Sequence, residues 1–297
     1  MNEKTALVLS GGGSKGAVEV GLYQALVEKG IKIDFIVGSS IGAVNGAFIA
    51  SGVPPRKLAD LWRNFKVHEL YGFNWENLWK FFWSDSLYDH SRFRRYLERH
   101  LPVYTFEELK IPLIVPCTNI QTGAPVYIRE GKLLDALMAS IAIPGIFPPQ
   151  MHNGYQLVDG AVTENVPLEV SVLEGATNIL VMHYNGCLQP VRPVHGLVKL
   201  LSRTFSIAMD RKTISDTRYY RSKAKLFIME PPLGLDIHHL DFRHSALLIE
   251  KGYLFAMDFL DKEFDCPLLK PIEATEVPSL GDMGSGLYRQ QLVSGSP

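Results

Sequence analysis

The segment Phe35-Ile36-Val37-Gly38-Ser39-Ser40-Ile41-Gly42-Ala43-Val44-Asn45-Gly46-Ala47 restricts the fold of this chain more than any other. Its apolar start predicts a buried strand, its Gly- and Ser-rich centre a sharp turn, and its small-residue end a helix lying close on a sheet. A strand that turns at once into a helix belongs to an α/β arrangement with parallel neighbours. The turn spells G-x-S-x-G around Ser40. In that pattern a strained strand-to-helix turn pushes a serine oxygen out of the backbone. Gly38 and Gly42 lack Cβ atoms, so the strand and the helix can approach each other. The helix N-terminus offers unpaired N–H groups and a partial positive charge, which favour a developing oxyanion. The same five-residue pattern recurs at Gly12-Gly13-Ser14-Lys15-Gly16, so the motif alone leaves two candidate serines.

The surrounding chain supports an α/β sheet. Ala6-Leu7-Val8-Leu9 reads as a buried strand, the loop Ser10 to Gly16 follows, and Ala17 to Lys29 carries a helical pattern. Further strands are predicted at Leu113–Val115, Pro125–Ile128, Tyr155–Val158, Ile179–Met182 and Lys225–Met229. Helices are predicted over Leu133–Ser140, from Val194 to about Ser215, and over Ser245–Leu260. Residues 54–100 differ in character and hold all 4 tryptophans, from Trp62 to Trp83. They are predicted as a helical, aromatic-rich cap inserted in a domain spanning residues 1–265. Within the cap, Trp75, Trp79, Phe82 and Trp83 suit either packing or a peripheral contact at a lipid–water boundary. Arg92, Arg94, Arg95 and Arg99 read as a solvated helix face. Residues 266–297 lose all periodicity and end in a Gly- and Ser-rich stretch, which predicts a poorly ordered tail.

Composition excludes several function classes. The balance of 30 basic and 31 acidic residues, a net charge of -1, speaks against a nucleic-acid binder. Three cysteines, Cys117, Cys187 and Cys266, are too few and too scattered for a disulfide framework or a zinc site. No apolar run nears the ~20 residues of a membrane span, and Ala6 to Leu9 is too short for the core of a signal peptide. A cytoplasmic location is therefore expected, with any membrane contact peripheral.

Two readings compete for the first loop. Gly11-x-Gly13-x-x-Gly16 follows a strand and opens a helix, and Asp34 falls about 20 residues on, as in a dinucleotide-binding fingerprint. Yet Asp34 precedes its strand, whereas a ribose ligand sits at the strand's far end. A phosphate-binding Walker loop fails because Lys15 precedes Gly16. The other reading is an oxyanion hole: the backbone N–H groups of Gly11, Gly12 and Gly13 emerge from the neighbouring strand and face Ser40, with Lys15 supplying charge nearby or lying in solvent. Asp159-Gly160 follows a predicted strand and offers a carboxylate, as either a base or a turn residue. A conventional triad also needs a histidine. Of the 9 histidines, His152 and His183 are placed to be tried, and each reads more simply as structural.

These blocks, in this order, resemble those of the patatin-like phospholipases. They are Gly11-Gly12-Gly13-Ser14-Lys15-Gly16, then Gly38-Ser39-Ser40-Ile41-Gly42, then Ala139-Ser140-Ile141-Ala142-Ile143-Pro144 with Phe147-Pro148-Pro149, and finally Asp159-Gly160-Ala161. The likeness covers about Thr5 to Leu173, weakens toward Leu260, and has no counterpart in the tail. It implies an α/β fold of three layers, α/β/α, with a mostly parallel central sheet. It also implies a Ser-Asp dyad without histidine: Ser40 as nucleophile, Asp159 as base, and Gly11 to Gly13 as the oxyanion hole. Lys15, Gly16, Gly38, Gly42 and Gly160 belong to the supporting motifs, and Pro144, Phe147 and Pro148 shape the acyl cleft. A free aspartate, with a pKa of about 3.9, is a poor base near neutrality. The dyad therefore asks for a buried, apolar setting that raises it.

The expected activity is lipid acyl-ester hydrolysis of the phospholipase A or lysophospholipase type, through an acyl-enzyme and with no metal or cofactor. The alternatives are an acyltransferase using the same acyl-enzyme and a dinucleotide-binding oxidoreductase, which would keep its activity without Ser40.

Overall fold

A computed structural model of the protein describes residues 3–70, 72–73, 86, 88–184, 193–233 and 240–264. The chain begins with β1 (Thr5–Leu9), a 3-10 turn at Gly13–Gly16 and α1 (Ala17–Glu28). Next come β2 (Phe35–Gly38), α2 (Ile41–Ala50) and α3 (Pro55–Asn64). A short hairpin of β3 (Gly72–Phe73) and β4 (Tyr88–Asp89) leads to α4 (Ser91–His100). Then follow β5 (Leu113–Asn119), β6 (Pro125–Ile128), α5 (Leu133–Ser140), β7 (Gln150–His152) and β8 (Tyr155–Asp159). The last elements are α6 (Ala161–Glu164), α7 (Leu168–Leu173), β9 (Asn178–Met182), α8 (Leu197–Tyr220), β10 (Lys225–Met229) and α9 (Ser245–Phe264).

The main sheet has the order β10-β9-β1-β2-β5-β8-β7, with β6 also paired to β5. Strands β10, β9, β1, β2 and β5 run parallel, while β6, β7 and β8 form an antiparallel margin. Strands in the parallel part are buried on both faces, so they read as continuous apolar runs rather than alternating ones. The two faces are nevertheless distinct. Ala6, Val8, Phe35, Val37, Ile179 and Val181 pack with Val166, Leu168 and Val170 under α6 and α7. Leu9, Ile36 and Leu113 point the other way, against Gly46 of α2. With α1 and α9 on that second side, where Gly21 and Gly252 bring the two helices into backbone contact, the fold has three layers, α/β/α.

The strands predicted from sequence are all present. The sequence reading assigns no element to residues 161–178, where α6 and α7 lie, nor to β7, because helices of 4 and 6 residues are too short to show a period. Helix α8 runs on to Tyr220, past the expected end near Ser215. The chain divides into two units, Met1–Leu260 and Asp261–Pro297. Trp75, Trp79, Phe82 and Trp83, and the tail 266–297, lie outside the described residues. Trp62, by contrast, is a buried residue of α3, with its indole nitrogen donating to Asn45.

The strand-to-helix turn depends on missing side chains. A Cβ on Gly42 would lie 2.4 Å from the Leu9 carbonyl oxygen, and one on Gly38 2.3 Å from that of Gly42. Both obstacles are backbone and cannot swing aside. Gly42→Ala is therefore expected to cost ~1–3 kcal/mol by overpacking. A thermal melt should then show a Tm lower by several degrees; an unchanged Tm would mean that β1 and α2 do not approach this closely.

Candidate active site

Register places the candidate residues. Leu9 of β1 pairs with Gly38 of β2, and the Ser39 N–H donates to the Leu9 carbonyl at 3.0 Å. The glycine loop and the serine turn thus leave the same end of adjacent parallel strands, which is where open α/β sheets carry their sites. A Cβ added to Gly11 would sit 3.1 Å from Ser40 Cβ, so the two loops touch. Across the sheet, β8 pairs with β5 so that Asp159 lies opposite Cys117, and the Asp159 N–H donates to the Ala142 carbonyl at 3.0 Å.

Ser40 has φ 54 and ψ -126, a left-handed region that a side-chain-bearing residue rarely occupies. Such a conformation costs of order 1–3 kcal/mol and persists when its surroundings impose it. Here the neighbours do so. The Ser40 N–H donates to Ser140 Oγ at 2.9 Å, and Ser140 Oγ–H donates to the Pro116 carbonyl at 2.7 Å. Helix α2 begins at once, with Ala43 N–H donating to the Ser40 carbonyl at 2.9 Å. Ser40 Oγ donates to Asp159 Oδ2 at 2.7 Å, and Asp159 Oδ1 accepts from the Ala161 N–H at 2.8 Å. Asp159 is 2% exposed. Burial pushes its carboxyl up to about 7, against the lowering effect of the bonds from Ser40 and Ala161. That is the direction a dyad base needs.

The glycine residues divide by role. Gly11 N–H donates to the Asn165 carbonyl at 3.3 Å, so in this structure it is turned to the backbone. Gly12 lies under the ring of Tyr184, where a Cβ would meet Cε2 at 2.1 Å. Gly13 has φ 60 and starts the 3-10 turn, in which Ser14 is fully buried. Lys15 is buried too, contrary to a solvated reading. Gly16 makes room for Ile41, and Gly160 for the Pro116 carbonyl, 2.2 Å from where its Cβ would stand. In the loop after α5, Pro144 is exposed and Pro148 half-buried, and Phe147 is buried with its ring against His90.

Other candidates are turned elsewhere. Asp34 accepts from the Thr5 N–H at 2.8 Å and pairs with Lys32, at the end of the sheet away from the glycine loop. It holds β1 and is no ribose ligand. His183 faces Glu230 and His152 faces Asn153; among the described residues neither bonds to Ser40 or Asp159.

Sequence reasoning missed the polar support under the loop. Glu19 of α1 is fully buried; its carboxylate accepts from the Ser10 N–H at 2.7 Å and from Asn45 Nδ2 at 2.9 Å. Asn45 in turn accepts from Trp62 Nε1 at 2.8 Å. This chain ties the start of the glycine loop to α2 and α3. Its signal was present: a lone glutamate inside Ala17-Val18-Glu19-Val20 stands on a face that must be buried. Ser140 lies in the quoted block Ala139 to Pro144, but its partner across 100 residues is invisible in sequence.

The family model described as patatin-like phospholipase matches residues 7–172, from β1 through α7. The chain belongs to the patatin-like phospholipase family. Relatives of this family member include the protein named lysophospholipase nte1 of Aspergillus terreus, 30% identical over 282 residues, covering 86% of this chain and 18% of that protein. The lysophospholipase NTE1 of Mycosarcoma maydis is 27% identical over 86% of this chain and 14% of its own length. The chain therefore spans only a small part of these relatives. An uncharacterized NTE family protein of Mycobacterium bovis is 31% identical over 55% of this chain. The crystal structure of VipD from Legionella pneumophila shares the fold, with a TM-score of 0.57 at 15% identity, over 88% of this chain and 67% of VipD. Among the described residues no helix is long and apolar enough to cross a membrane.

Burial raises three carboxyls: Asp159 to about 7, Glu164 to about 7 and Glu19 to about 8. Between their unfolded values and these, the folded chain holds protons that the unfolded chain has released. Their contribution to stability is therefore full only below the ordinary carboxylate range, declines as pH rises from there toward 7 and 8, and is gone above those values. The expected Tm is higher at about pH 5 than at about pH 8.5. A Tm that rises over this range would show these groups to be ionised in the fold.

Proposed function

We propose that the protein hydrolyses acyl esters of lipids through a Ser40–Asp159 dyad. One observation carries this reading: Ser40 Oγ, held in a strained turn at a helix N-terminus, donates a 2.7 Å hydrogen bond to a buried carboxylate. Membership of the patatin-like phospholipase family supports the substrate class, and the names of the NTE relatives point to lysophospholipids.

The steps follow from the geometry. Asp159 Oδ2 takes the Ser40 hydroxyl proton as Oγ bonds to the ester carbonyl carbon, and the carbonyl π electrons move to oxygen. The oxyanion lies at the glycine loop and the N-terminus of α2, whose aligned N–H groups favour negative charge. Gly13, which takes φ 60 where the 3-10 turn begins, is the loop position this reading favours for the role, since Gly11 N–H is engaged with Asn165. The intermediate then collapses, the C–O bond to the alcohol breaks, and Asp159 returns the proton to the leaving oxygen. Water enters next and loses a proton to Asp159. Its oxygen attacks the acyl-enzyme, and Ser40 leaves with that proton as the fatty acid departs.

An aspartate near 7 is half-ionised at neutrality, so one group can both take and give a proton there.

Labelling by a fluorophosphonate probe, read by intact mass and peptide mapping, tests the assignment. The adduct is expected on Ser40, absent in Ser40→Ala and slowed about 10²–10⁴-fold in Asp159→Asn, the usual worth of a positioned base. An adduct on Ser14, or undiminished labelling of Asp159→Asn, would reject the dyad.

A further inference from the structure

Helix α2 starts at the nucleophile, and one of its faces leads away from it into an apolar cavity. Ile41, Val44 and Phe48 line one wall; Leu58, Trp62 and Phe65 of α3 and its exit line the other. Phe93 and Tyr96 of α4 and Phe242 close it. The cavity measures about 40 Å³. From Ile41 to Phe48 the helix rises roughly 10 Å.

Three features mark this as a binding slot. First, it is dry by construction. The polar atoms on its walls are turned elsewhere: Trp62 Nε1 donates to Asn45, and the Tyr96 hydroxyl to the Leu61 carbonyl at 3.5 Å. Water in such a space would find no partners, while an apolar ligand fits one well. Second, it has a direction. Ile41, Phe65 and Tyr96 are half-buried, whereas Phe48 and Leu58 are buried. Leu61 of α3 is half-buried as well, and Ile41 follows Ser40 directly in the chain, so the more open wall begins beside Ser40. The slot thus reaches the nucleophile through Ile41, and the buried Phe48 and Leu58 form its closed wall. Third, an unfilled apolar void lowers stability. This one survives beside tightly packed rings, with Phe65 at 4.8 Å from Phe242 and 5.0 Å from Tyr96.

We propose that this slot between α2, α3 and α4 seats the acyl chain of the ester that Ser40 attacks. The proposal rests on the ester-hydrolase reading and adds where the chain goes and what limits its length. The loop of Pro144, Phe147 and Pro148 is then not the main acyl contact, because Phe147 is buried against His90. Trp62 links the slot to the catalytic loop through Asn45 and Glu19, so the wall that grips the chain is rigidly tied to the start of that loop.

The test is a chain-length profile with p-nitrophenyl butyrate, octanoate and palmitate on the full chain. The variants are Val44→Phe, which fills the slot, and Phe48→Leu, which deepens it with little loss of packing. Wild type should favour octanoate over butyrate in kcat/KM. Val44→Phe should lower the octanoate-to-butyrate ratio about tenfold, a loss typical of a few methylenes denied their pocket. Phe48→Leu should move the preference toward palmitate. Fluorophosphonate labelling of Ser40 in each variant reports on the nucleophile separately. Labelled variants with the wild-type length profile would overturn the slot and leave the hydrolase standing, as would a Val44→Phe that only raises Tm. If Val44→Phe does not fold, the profile of Phe48→Leu decides alone. Wild type that neither labels at Ser40 nor turns over any ester would overturn both readings.

Discussion

A carboxylate removed from water costs several kcal/mol unless its lone pairs are met, and Asp159 is kept nearly out of water with two donors on it. Ser40 Oγ–H meets one oxygen and the Ala161 N–H the other. The remaining imbalance is what raises the carboxyl toward neutrality. The same bond therefore does two things: it partly stabilises a buried charge, and it aims a proton acceptor at a hydroxyl. Backbone on both sides is tied down: the Ser40 N–H donates to Ser140 and the Asp159 N–H to the Ala142 carbonyl.

That arrangement is mainly backbone. Parallel pairing of β1 with β2 sets the glycine loop beside the serine turn, and antiparallel pairing of β8 with β5 brings in Asp159. The turn itself is strained at Ser40, and Ser140 holds it by accepting a hydrogen bond from the Ser40 N–H and donating one from its hydroxyl to the Pro116 carbonyl. Gly38, Gly42 and Gly160 are glycines because backbone oxygens occupy the place of a side chain within 2.4 Å. Beneath the loop, a second buried carboxylate, Glu19, fixes Ser10 through its N–H and reaches α3 through Asn45 and Trp62. Two acidic groups are thus buried in different settings, one facing Ser40 and one bracing the loop. Both lower stability when ionised, which is why the fold is expected to prefer mild acid.

Much of this was legible in the residues. Continuous apolar runs identified β1, β2, β9 and β10, since strands buried on both faces show no alternation. Gly38 and Gly42 around Ser40, with an apolar run before them and small residues after, marked the strand-to-helix turn, although the same spacing around Ser14 left two candidate serines until the other blocks were added. The burial needed by Asp159 followed from the chemistry of a histidine-free pair. What stayed hidden is long-range. No local pattern tells that Ser140 caps the Ser40 N–H, that Asn165 occupies Gly11, or that Ile41, Trp62 and Phe242 meet around a void. The short helices after Asp159 were equally silent, being less than two turns long.

The central claim is that one buried aspartate, with no histidine, activates Ser40. It is tested most directly by the pH dependence of the rate at which a fluorophosphonate modifies the wild-type protein. A base must be ionised to act, so the account predicts a rate rising about tenfold per pH unit in acid and levelling off after one ionisation near 7. A rate that stays flat from about pH 5 to about pH 8 would contradict it, because the activating group would then not be a carboxylate raised by burial.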